Sequence, residues 1–153
     1  MQMAVIEFSR NILGLKDANS TEMEENTPHP VIALMENQKN ITNKGGTMRL
    51  GSWECKIESN SKVSEIYKSE IISERHRHRW ELNDNYRDEL NKKGLKSCGT
   101  NPETGLVEII ELSSNDWFIG VQFHPEYKST VECPHPLFVS FVKACLNYKK
   151  SKN

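Results

Sequence analysis

Two apolar runs, LVEIIEL (106–112) and WFIGVQF (117–123), stand on either side of the polar cluster Ser113-Ser114-Asn115-Asp116. No other feature limits the fold as sharply. Both runs are of strand length and rich in β-branched and aromatic residues, and the cluster between them is turn chemistry. The second run leads into Gln122-Phe123-His124-Pro125-Glu126. Pro125 keeps His124 out of the α region, so an extended chain is expected there, with residues two apart on one side. A carboxylate beside an imidazole accepts the Nδ1 proton and fixes the tautomer, which frees the other nitrogen to take a proton from a nucleophile. The competing reading is a surface turn with a solvated histidine.

Around this pair the chain reads as mixed α/β without strict alternation. Residues 1–13 carry Val5, Phe8, Ile12 and Leu13 at helical spacing, with Gly14 as a stop. Residues 15–30 read as a long loop, 31–35 as a short apolar run and 36–46 as a polar loop. Residues 47–57 alternate as a strand. Ser61 caps a short helix through Tyr67, and residues 71–82 form a second strand region. A helix starts at Asn83 or Asp84 and ends at Gly94, with Tyr86 and Leu90 on its inner face. Pro136 opens a last helix with Phe138, Phe141, Val142 and Cys145 on one face, followed by a solvated tail.

The chain has 153 residues, 36% hydrophobic and 27% charged, which is the size and character of one globular domain. A net charge of −1 gives no long-range field to draw in nucleic acid or an anionic membrane, so neither is an expected partner. No apolar run approaches the roughly 18 residues that span a bilayer. The first residues lack a basic segment and carry Glu7, which argues against a signal peptide, and they begin abruptly, as though a preceding segment were missing.

Three patterns have alternatives. Arg75-His76-Arg77-His78-Arg79 is a nucleic-acid patch or a solvated strand face; in a strand the arginines face one way and the histidines the other. His76-x-His78 with Cys133-x-His135 could ligate zinc, but neither pair has structural-zinc spacing, and no metal is expected. The glycines of GGTMRLG (45–51) precede a strand rather than a helix, which favours a tight turn over a phosphate cradle. The four cysteines, Cys55, Cys98, Cys133 and Cys145, show no CxxC spacing and read as reduced thiols, with Cys55 and Cys145 in the core. None lies in a G-x-C-x-G elbow.

QFHPE followed by the PLF helix resembles the end of class I glutamine amidotransferase domains, whose triad is Cys-His-Glu. DANSTE (17–22), GGTMRLG, ERHRHR (74–79), LVEIIEL and HPLFVSFVKA (135–144) narrow the resemblance to the amidotransferase half of the CTP synthase family. It covers residues 1–146, with 147–153 as a polar tail. The implied fold is α/β, a partial class I amidotransferase (flavodoxin-like) fold lacking its N-terminal strands and nucleophile elbow.

Carried over by position, His124 resembles the general base and Glu126 its orienting carboxylate, while Gln2, Glu22 and Arg79 resemble residues that hold glutamine. The resemblance implies a cytoplasmic enzyme that releases ammonia from L-glutamine for the ATP-dependent amination of UTP to CTP. Its partners would be a synthetase domain of the same polypeptide and three further copies in a homo-tetramer. No cofactor is expected in this chain, and Mg2+ would act with ATP and UTP in the synthetase domain. In the family a Cys-Leu-Gly elbow directly precedes Met1-Gln2, so the expectation is a chain that does not hydrolyse glutamine by itself. It would also be prone to aggregate through uncovered apolar surface. The alternative is a cysteine-less remnant serving as a binding or oligomerisation module.

Overall fold

The computed structural model describes residues 1–34 and 49–152. The readings made for residues 35–48, including Gly45-Gly46 and the loop before them, fall outside the described residues. The first helix, α1 (Gln2–Asn11), buries Val5, Ile6, Phe8 and Ser9; of the stripe expected from spacing Val5 and Phe8 are buried, whereas Ile12, just past the last helical residue, is exposed. Within the stretch expected as a loop, β1 (Ala18–Ser20) pairs in parallel with β2 (His29–Leu34). Next come β3 (Arg49–Ile57), α2 (Lys62–Tyr67), β4 (Ile71–His78) and β5 (Trp80–Leu82). A 3-10 turn at Asp84–Tyr86 leads into α3 (Arg87–Lys93), which ends at Gly94 in the left-handed region. The chain finishes with β6 (Leu95–Thr100), β7 (Val107–Leu112), β8 (Ile119–Val121) and α4 (Pro136–Ser151).

Two sheets result. The smaller has the order β1-β2-β5, and the larger, antiparallel throughout, has the order β4-β3-β6-β7-β8. Two apolar clusters form around them, and the larger sheet contributes to both. Val5, Ile6 and Phe8 of α1 pack with Val31, Ile32, Leu82, Leu90 and Ile110. On the other side Cys55, Val63, Ile72, Cys98, Ile109 and Phe123 meet Leu137. Neighbouring Ile109 and Ile110 thus serve different clusters, and the buried β7 stands between them.

Several differences from the sequence reading have local causes. The strand region at 71–82 breaks at Arg79, where the chain leaves the larger sheet and joins the smaller one as β5. The run at 117–123 keeps only Ile119–Val121 as strand, and the Trp117 indole at its start donates to Ser140 Oγ of α4 at 2.9 Å. The last helix continues to Ser151 through residues expected as tail. Cys145, expected in the core, is exposed; of α4 only Leu137 is buried, and Phe138, Phe141, Val142 and Leu146 lie on the surface. No helix among the described residues is long and apolar enough to cross a membrane.

Candidate active site

His124 follows the end of β8 and caps a 3-10 turn, Pro125–Lys128, with proline in its first turn. Its Nδ1 lies 2.7 Å from Glu126 Oε1. The extended backbone expected there is replaced by this turn, and it is the turn that folds Glu126 back to the ring. Slight burial pushes the Glu126 carboxyl up, but the His124 hydrogen bond, a backbone hydrogen bond and the His124 charge together outweigh it, and the group ends below the ordinary carboxylate range. An ionised carboxylate only accepts, so Nδ1 carries the proton and Nε2 presents its lone pair. The His124 backbone N–H donates to Arg75 O at 2.9 Å, tying the dyad to β4.

The His124 ring stacks on Tyr127 with centroids 5.2 Å apart, and the Tyr127 hydroxyl accepts from Arg77 Nη1 at 3.1 Å. Arg77 in turn lines a cavity of about 460 Å³ together with Gln2, Glu22, His78, Arg79 and Trp80. The three residues singled out for glutamine, Gln2 from α1, Glu22 from the turn after β1 and Arg79 from the β4–β5 corner, therefore line one cavity, with the dyad two contacts away. Glu22 is exposed, and its backbone N–H donates to Ser20 Oγ at 3.2 Å. Gln2 Nε2 and Gln122 Nε2 each donate to the Trp80 carbonyl at 2.7 Å, which brings the start of α1 and the strand leading to His124 to the same atom.

Residues 1–144 match the glutamine amidotransferase class-I family. The chain belongs to that family. It is 66% identical over 150 residues to a CTP synthase of Flavobacterium johnsoniae, and the match covers 98% of this chain and 28% of that protein. A CTP synthase of Cytophaga hutchinsonii is 59% identical over 152 residues, covering 99% of this chain and 28% of that protein. Among solved structures, the glutaminase domain of Trypanosoma brucei CTPS with bound acivicin superposes with a TM-score of 0.88. It shares 42% identity, and the match covers 96% of this chain and 57% of that one. The chain thus spans just over a quarter of the length of its curated relatives.

Among the described residues of this amidotransferase chain no cysteine side chain hydrogen-bonds to His124; those of Cys55 and Cys98 bond to the Lys56 and Ile109 carbonyls. Cys55 and Cys98 are buried in the second apolar cluster, where burial first, then nearby carboxylates, push the Cys55 thiol up to about 12 and burial raises Cys98 as well. Cys133 and Cys145 are exposed. The sequence reading left His76 and His78 without a role. They belong to a buried polar group with Arg49, Glu81 and Glu108, which that reading did not single out. Burial, then Arg49, His78 and His124, lower His76 to about 3, and burial raises Glu108 to about 7 against the pull of Arg49. The signal available in the sequence was the inward phase of the two histidines in ERHRHR and the invariably charged Arg49 of GGTMRLG.

Proposed function

We propose that the chain is the glutamine-handling part of a CTP synthase, releasing ammonia from L-glutamine. The observation that carries the reading is the 2.7 Å His124–Glu126 pair, joined through Tyr127 and Arg77 to a cavity that holds both an anion, Glu22, and a cation, Arg79. Free glutamine has an α-ammonium and an α-carboxylate. Glu22 accepts from the first, and the Arg79 fork donates to the second. With those ends held, the side-chain carboxamide reaches toward the dyad. A thiol then adds to the carboxamide carbon as His124 Nε2 takes its proton, and the imidazolium returns that proton to the nitrogen, which departs as ammonia and leaves a thioester. Water, deprotonated by the same nitrogen, cleaves the thioester to glutamate. Glu126 holds the ring and balances the imidazolium.

The burial of Cys55 and Cys98, with a chain that spans just over a quarter of its relatives' length, supports a nucleophile supplied by the rest of the whole protein. In the whole protein, ammonia would pass to a synthetase domain that uses ATP with Mg2+ to aminate UTP to CTP, within a cytoplasmic homo-tetramer. The deciding experiment is an NMR titration of the chain with L-glutamine. Binding is expected, and Arg79→Ala and Glu22→Ala should each weaken it by about tenfold or more. Binding indifferent to both substitutions, or no binding, overturns the reading. The chain by itself should release no ammonia, and turnover by the pure chain would refute an external nucleophile.

A further inference from the structure

Arg49, at the start of β3, lies between two buried carboxylates: its Nη1 is 3.2 Å from Glu81 Oε1 and 2.6 Å from Glu108 Oε1. His78 Nε2 reaches the same Glu81 Oε1 at 2.7 Å, and Gln122 Nε2 lies 3.3 Å from Glu81 Oε2. All three charged side chains are 5% exposed or less. Removing charges from water is costly unless every partner is in place, and an apolar replacement is often no less stable. Stability alone is therefore a weak reason for three charges here, whereas a fixed direction is a strong one.

The geometry shows what is fixed. His78 and Glu81 flank Arg79 and Trp80, so their contact closes the corner at which the chain passes from β4 to β5. Gln122, directly after β8 and two residues before His124, joins that corner to the approach to the dyad, because its Nε2 also donates to the Trp80 carbonyl. The clamp thus touches the guanidinium-bearing corner on one side and the dyad's strand on the other, without lining the cavity through Glu81 itself.

We infer that Glu81 is a positioning residue: anchored by Arg49 and His78, it aims Arg79 at the substrate's α-carboxylate, and through Gln122 it keeps that aim in register with His124. This rests on the glutamine cavity proposed above. Glu81→Gln keeps the volume and an acceptor but removes the charge that holds Arg49 and His78. The chain and this variant are to be titrated by NMR with L-glutamine and with 4-aminobutanamide, which keeps the ammonium and carboxamide but lacks the α-carboxylate. Glu81→Gln should weaken L-glutamine about tenfold and change 4-aminobutanamide by less than about twofold. In an Arg79→Ala background it should have no further effect on either ligand.

Equal weakening of both ligands, or unchanged glutamine affinity in the folded variant, overturns the inference. Should Glu81→Gln fail to fold, Gln122→Met, which removes the donor to Glu81 and Trp80, must show the same ligand-selective loss, and any other pattern overturns it. An Arg79→Ala chain that binds L-glutamine as its parent does would instead sink the cavity assignment, a result distinct from failure of the clamp alone.

Discussion

At His124 one ring nitrogen is committed to Glu126 and one ring face to Tyr127, which leaves a single lone pair for chemistry. Replacing Glu126 by Gln offers an amide in place of an obligate acceptor, so the Nε2–H tautomer should gain population at neutral pH. Imidazole 15N shifts would report it, and an unchanged tautomer ratio would show that the ring is oriented by other contacts. The buried pair His76 and Glu108 makes a second, thermodynamic prediction. His76 is held near 3, well below its ordinary value, so the folded chain binds fewer protons than the unfolded one as pH falls below about 6.5, and stability is lost. Glu108 is held near 7, so between about 7 and 4.5 the folded chain binds more protons, and acidification stabilises it. The two oppose each other. His76→Asn removes the first, and its melting temperature relative to the parent should rise as pH is lowered from 7.5 to 5. A difference that stays flat in calorimetry would contradict this assignment.

Among the elements, those specified by local chemistry were legible in the sequence. Ser61 accepts from the Ser64 backbone N–H as an N-cap should, Gly94 closes α3, and Val5 and Phe8 of α1 are buried. Strands specified by distant partners were not. Residues 95–100, with Lys96, Ser97 and Gly99, have little strand signal of their own and become β6 by pairing with β3 and β7. The dyad could be read because its two residues are only two positions apart in sequence. The clamp on Glu81 could not, because Arg49 reaches it from β3 and Gln122 from just past β8. Gly99 illustrates the difference. A Cβ there would sit 2.7 Å from Ile109 Cγ1 and 2.8 Å from Cys55 Sγ, so the absence of a side chain lets three strands close. Gly99→Ala should cost about 1–3 kcal/mol in urea denaturation, and adding Ile109→Val should recover part of it.

For the whole molecule, the outer face of α4 is the least settled surface. Phe138, Val139, Phe141, Val142, Leu146 and Tyr148 are each at least 40% exposed on one helix. Apolar patches of this kind promote association. A chain carrying Val142→Lys and Leu146→Glu should scatter less light at high concentration with little change in melting temperature, and undiminished scattering would place the sticky surface elsewhere.

The passage of the chain from one sheet to the other at Arg79 has a mechanical consequence. A ligand that grips this guanidinium also pins the seam between the layers, so occupancy and layer alignment share one coordinate. Saturation with L-glutamine should slow amide exchange at Glu81 and Leu82 more than in α2, which packs in the other apolar cluster, as though a hinge had been bolted.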